Sequence, residues 1–148
     1  MKAVTIHSFG DESVLRYEEV PDPVPGPRDV LVRVRASSVN RGDLGRRAGT
    51  NATTPLAHPL IIGWDVAGDV VEVGAEVEGI GVGQRVVVRL PEGGYAELAA
   101  APASVAVPLP DGVSYDQAAS LPVAFLTAWV ALLDTAKLKA GETALVQA

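Results

Sequence analysis

Residues 29–40 read DVLVRVRASSVN and residues 63–74 read GWDVAGDVVEVG, and these two stretches decide the fold. In the first, Val30, Val32, Val34 and Ala36 alternate with Arg33 and Arg35. Period-two alternation is the mark of a strand with one face buried, because successive side chains leave opposite faces. The second stretch predicts another strand over Trp64–Val73. Outward from this pair, Met1–His7 and Val14–Val20 read as strands joined by a turn at Phe9-Gly10-Asp11. Gln84–Leu90 and Gly94–Ala101 add two more. Between them, Pro21–Pro27 (PDPVPGP) lacks the backbone donors to join a sheet and reads as an extended connector. Asn40–Gly49 (NRGDLGRRAG) is glycine-rich, which argues against more than a single helical turn. Thr50–Leu60 reads as an exposed loop. Short strands at this spacing predict a mainly β unit, a barrel-like or folded-over antiparallel sheet.

The pattern changes at Pro108–Gly112. Ser114-Tyr-Asp-Gln117 is an S-x-x-Q capping box, which starts a helix. Pro122 suits the first turn of a second helix, Pro122–Ala136, which is apolar nearly all round and so is expected to be buried. Glu142–Gln147 (ETALVQ) reads as a new strand after Gly141. The chain is thus expected to divide into a β domain over 1–112 and a unit of helices plus a strand over 113–148.

Composition removes several function classes. The formal net charge is −6 and the basic residues are scattered apart from small groups such as Arg41, Arg46 and Arg47, so no basic face invites nucleic acid. No apolar run is long enough to span a bilayer, and the start MKAVTIHSFGDE is not a leader pattern, so the expected compartment is the cytosol and no membrane partner is expected. There are no cysteines and only two histidines, His7 and His58. That donor set argues against zinc, and no metal is expected. Gly79-Ile-Gly-Val-Gly83 imitates a dinucleotide fingerprint, but Gln84 stands where the third glycine belongs and no strand leads through it into a helix; it reads as a tight turn.

Taken in order, DVLVRVRASSVN, GWDVAGDVVEVG, VGQRV at Val82–Val86, GGYAE at Gly93–Glu97 and LPVAFLTAW at Leu121–Trp129 resemble the medium-chain dehydrogenase/reductase family. More closely, they resemble its zinc-free quinone oxidoreductase, or zeta-crystallin-like, branch. The resemblance implies a GroES-like, partly open β-barrel with C-terminal helices, followed by the first strand of a nucleotide-binding domain. In zinc alcohol dehydrogenases a cysteine, a histidine and a cysteine hold the catalytic metal. By the motifs those places fall on Asn40, Trp64 and Val123, and the four-cysteine structural lobe is replaced by the link Leu90–Gly93. Hydride from NADPH would then go to acceptors already activated by conjugation, quinones or enones.

The resemblance also suggests roles for particular residues. Asn40 is expected at the reaction centre, its amide donating to an oxygen or to the nicotinamide carboxamide; the plainer alternative is a cap on the following turn. Thr127 is expected beside the nicotinamide ring, the alternative being a helix threonine bonded to its own preceding carbonyl. Trp64 forms an apolar pocket wall or fills core volume. Asp65 is expected to pair with Arg41 or Arg47 and hold the loop. Asp43 and Arg47, in an N-x-x-D-x-x-x-R-x-G pattern over Asn40–Gly49, are expected to brace it as an ion pair or hydrogen bond. Where some relatives carry a tyrosine over the active site, this chain has Gly45, which predicts a more open pocket.

A glycine-rich phosphate-binding turn is expected directly after ETALVQA, where these residues stop. The chain by itself is therefore expected to bind NADPH weakly, to be inactive alone, and to self-associate, a homodimer being one form, through its apolar C-terminal segment. The alternatives are an enoyl reductase of fatty-acid or polyketide type, and a non-catalytic GroES-like binding or structural module.

Overall fold

In a computed structural model, residues 1–50 and 52–147 are described. β1 (Lys2–Ile6) pairs antiparallel with β2 (Leu15–Glu19) and with the two-residue β4 (Leu60–Ile61). The main sheet has the order β7-β3-β5-β6-β8, with β3 at Asp29–Ser37, β5 at Asp65–Val73, β6 at Arg85–Arg89, β7 at Leu98–Pro102 and β8 at Ala106–Pro108. All its pairings are antiparallel. A bridge from Ala3 to Ala96 and the bond from Val4 N to Tyr95 O, 2.8 Å, tie the small sheet to the large one. The result is a curled half-barrel, in line with the barrel-like or folded-over sheet expected from the strand spacing and the partly open barrel that the resemblance implies.

The alternation in DVLVRVRAS does what its period demands. Val30 and Val32 are fully buried, and Arg33 and Arg35 are exposed. Val66, Val70, Val86 and Val88 meet them from β5 and β6. Each such valine, taken out of water, contributes roughly 2 kcal/mol. Leu31 is buried as well, because the register shifts between Leu31 and Val32 and again between Val34 and Ala36. Bulges of this kind bend a strand and strengthen its twist, which is how the sheet curls.

The turn 79–83 joins β5 to β6 with Gly79 and Gly83 in the left-handed region (φ 77° and 86°), so the glycines serve a turn as expected. Ser114 caps α2 (Tyr115–Ala119) through the reciprocal pair Gln117 N to Ser114 Oγ, 3.2 Å, and Ser114 N to Gln117 Oε1, 3.0 Å. Ala118 and Ala119 seat this helix on Ala67 of β5.

Four local expectations are corrected. Residues Arg41–Ala48 form a two-turn helix, α1, in place of a single turn. Its start is held by the Asp43 carboxylate, which accepts from Asn40 N at 2.7 Å, and its end by Gly49 at φ 71°; two good caps outweigh two interior glycines. The strand predicted from Gly94 begins only at Leu98, because 93–95 are a turn bonded to Ile61, Gly63 and Ile62. Segment 122–136 splits into α3 (Pro122–Trp129) and a π-helical stretch, Val130–Thr135. It is not buried: Phe125, Leu126, Trp129 and Val130 are all about half exposed, since none of the described residues packs over that face. Residues 142–147 form no strand; a strand exists through its ladder, and no neighbour is present among the described residues to supply one.

Candidate active site

β3 ends at Ser37, and the chain then presents Ser38 and Asn40 before entering α1. Antiparallel pairing sets Ser37 opposite Val66, so Asp65, the first residue of β5, lies beside that exit. Ser38 Oγ donates to Asp65 Oδ2 at 2.7 Å and Asn40 Nδ2 donates to the same oxygen at 3.0 Å. Asn40 Nδ2 also reaches Ser38 Oγ at 3.0 Å. A third donor comes from the start of α3, where Val123 N lies 3.4 Å from Asp65 Oδ2. Asp65 is fully buried, and its Oδ1 has no partner among the described residues. One carboxylate oxygen therefore ties together the ends of two strands and the first turn of a helix. A buried acid needs such donors to be tolerated.

Asp65 does not pair with Arg41 or Arg47, contrary to expectation: β5 turns it inward, while Arg41 lies exposed on α1. Asp43 and Arg47 do not pair with each other either. Asp43 is buried and takes Asn40 N at 2.7 Å and the Tyr95 hydroxyl at 2.9 Å, and Arg47 stands 3.8 Å from Glu12. The side-chain partner of Asp43 is Tyr95 and not Arg47. That phenol is held well above its ordinary pKa, first by burial and then by the Asp43 carboxylate it donates to, so it stays a neutral donor. It also donates to Ser38 O at 3.2 Å.

Asn40 is the N-cap of α1 and shares a capping box with Asp43. Both Nδ2 hydrogens have acceptors in Ser38 and Asp65, so what it can offer a ligand is the acceptor Oδ1. Neither Asn40 nor Asp65 is among the residues lining the α1 hollow or the α3 cleft; Asp65 reaches the wall of the α3 cleft through Val123 N. Trp64 is half-buried, and its ring lies across Gly42, where a Cβ would stand 2.1 Å from Cη2. The Arg89 guanidinium sits 5.7 Å from its ring centre. Trp64 borders two hollows. One, about 650 Å³, is an open cleft against α3 walled by Val123, Leu126, Thr127 and Val130. The other, about 700 Å³, runs along α1 past Phe9, Gly45 and Thr50. Thr127 is exposed in the first cleft, and among the described residues its hydroxyl makes no hydrogen bond within the chain.

The structure thus gathers Asn40, Asp65 and Val123 into one polar junction and brings Trp64 and Thr127 to one cleft. It leaves Arg47 apart, in the α1 hollow. Ser38 and Tyr95 are the members that the sequence did not single out. Tyr95 stood in plain view inside GGYAE, but nothing local says that its hydroxyl travels to Asp43, 52 residues away.

The alcohol dehydrogenase GroES-like domain family matches residues 26–111. A quinone oxidoreductase of Sus scrofa is 38% identical over 148 residues, covering 99% of this chain and 45% of its own length. Among solved structures, the human synaptic vesicle membrane protein VAT-1 homolog-like protein superposes with a TM-score of 0.91 at 33% identity, over 95% of this chain and 45% of that one. The Escherichia coli quinone oxidoreductase, solved in complex with NADPH, gives 0.85 at 29% identity, over 91% of this chain and 41% of that one. The chain belongs to the alcohol dehydrogenase GroES-like domain family of the medium-chain dehydrogenases/reductases, a family of oxidoreductases. Within that family its relatives include quinone oxidoreductases, and it spans about half the length of the curated relatives it matches.

Proposed function

We propose that this chain is the substrate-side part of an NADPH-dependent reductase that passes hydride to quinones or conjugated carbonyls without zinc, with 1–112 as the β unit and 113–148 as the connector toward the cofactor. The observation that carries this reading is the junction at Asp65. Of the three places where zinc-dependent relatives hold their metal, Asn40 has its amide committed to Ser38 and Asp65, and Trp64 and Val123 have no donor atom to give. These residues do not fit zinc. The homologous quinone oxidoreductases and the NADPH-bound neighbour support the choice of acceptor and cofactor.

NADPH would supply the hydride. The residues present fit its nicotinamide end: a cleft with apolar walls at Trp64, Val123 and Leu126 and the hydroxyls of Thr127 and Thr135. Asn40, tied through Asp65 to Val123 in the cleft wall, would offer Oδ1 to the carboxamide, and the Thr127 hydroxyl would help fix the ring, which would favour transfer by orientation. The charge that appears on the acceptor oxygen is met by hydrogen-bond donors and not by a Lewis acid. The test is NADPH oxidation by naphthoquinone with the protein at its gene-encoded length. Loss of one such hydrogen bond in Asn40→Ala or Thr127→Val is expected to lower kcat/KM about tenfold. No oxidation of NADPH with the quinone, or full activity in both variants, would overturn the reading.

A further inference from the structure

We propose that the hollow along α1 is an anion-recognising pocket, so that the acceptor reduced by this protein is a planar ring carrying a carboxylate-like or sulfonate-like group. The proposal rests on the reductase reading above and narrows its substrate class. Arg41, Arg46 and Arg47 all line this hollow, and among the described residues no Asp or Glu does. In a chain of net charge −6, three cations around one concavity run against the overall balance, and a concave site of one sign concentrates ligands of the other.

These arginines are poorly neutralised. Arg46 Nη2 lies 3.2 Å from Glu92, but both side chains are nearly half exposed, and such pairs hold little energy. Arg47 is mostly covered, its nearest carboxylate among the described residues, at 3.8 Å, belongs to the largely exposed Glu12, and its Nε is buried with no acceptor among the described residues. A buried N–H left unpaired is unusual enough to require a reason, and a bound anion supplies one. Among the described residues Arg41 has no carboxylate within ion-pairing distance. Guanidinium groups suit the oxygens of a carboxylate or sulfonate because their N–H forks match that geometry.

The remaining wall favours a ring over a bare phosphate. Phe9 and the Trp64 indole supply flat apolar surface, and Gly45 adds nothing that would fill the space, its nearest neighbour to a Cβ being Thr50 Oγ1 at 3.7 Å. Trp64 borders this hollow and the α3 cleft alike. Its ring lies against Gly42, the residue next to Arg41. A ring resting on the Trp64 edge can therefore face the α3 cleft with its reacting end while its anionic group meets Arg41. The α1 pocket then sets which acceptor is taken.

The test compares naphthoquinone with naphthoquinone sulfonate, binding being followed by quenching of the two tryptophans in the protein at its gene-encoded length. The sulfonate is expected to bind about tenfold more tightly, as one charge-assisted contact would give. That advantage is expected to shrink in Arg41→Ala and in Arg46→Ala, and at high salt. Equal binding of the two quinones, or an advantage untouched by both substitutions, overturns the pocket. Displacement of the sulfonate by adenosine 2′,5′-bisphosphate would assign the arginines to the cofactor's phosphates and overturn it too. Turnover separates the two claims: a sulfonate preference in binding without NADPH oxidation by either quinone supports the pocket and refutes the reductase reading.

Discussion

Replacing Gly68 with alanine is expected to destabilise the fold by about 3 kcal/mol, at the upper end of what overpacking a core usually costs. Gly68 is buried in the middle of β5, paired with Val34 across the bulged part of β3. A Cβ there would lie 2.0 Å from Arg33 O and 2.9 Å from Val32 Cγ1. The first of these is backbone in the central strand pair, which cannot swing aside as a side chain would. Urea unfolding should show a lower midpoint with an unchanged slope, the sign of a change in stability alone. Gly81→Ala is the control. It lies in the β5–β6 connection with open space around a built Cβ, so its effect is expected to stay within about 0.5 kcal/mol. Equal stabilities for the two variants would mean that β3 and β5 do not approach as described.

Asp65→Ala is expected to cost about 3 kcal/mol as well, for a different reason: three donors lose their shared acceptor inside the protein, at about 1 kcal/mol each. Ser38 Oγ, Asn40 Nδ2 and Val123 N would all be stranded. Asp65→Asn keeps an acceptor oxygen and is expected to fall between alanine and the parent in stability. Because the same carboxylate orients Asn40 and the start of α3, both variants are also expected to lower kcat/KM for quinone reduction, alanine more than asparagine. Urea midpoints and NADPH oxidation rates measured on the same preparations check both parts. A fully stable and active Asp65→Ala would remove the junction from any account of this site.

The division between what was legible in the sequence and what was not follows the range of the interactions. Alternation in DVLVRVRAS and the Ser114–Gln117 box act over two to four residues, and both appear in the structure where the sequence placed them. β4 and β8 were not foreseen, because two or three residues cannot show a period and form strands only by lying beside β1 and β6. The α1 helix was undersold for a related reason: its glycines are visible locally, while the value of Asp43 as a cap depends on how it is held. Asp43 is held by Tyr95, and Asp65 by Ser38 and Asn40. Each of these bonds joins residues that only the pairing of β3 with β5, or the turn at Gly93–Gly94, brings together. The sequence named Asp65 and Asn40 but offered an arginine as partner, since opposite charge is the only partnership composition can suggest. ETALVQ has a strand's composition but no ladder among the described residues, which shows that composition permits a strand without making one.

Side-chain chemistry at positions 40, 64 and 123 bears on the central claim, hydride transfer without a metal. The most direct measurement is zinc content together with the rate of NADPH oxidation by naphthoquinone, before and after exhaustive treatment with phenanthroline. The predicted result is zinc far below one equivalent per chain and a rate unchanged by the chelator. Stoichiometric zinc, with a rate that disappears on chelation and returns when zinc is restored, would contradict it.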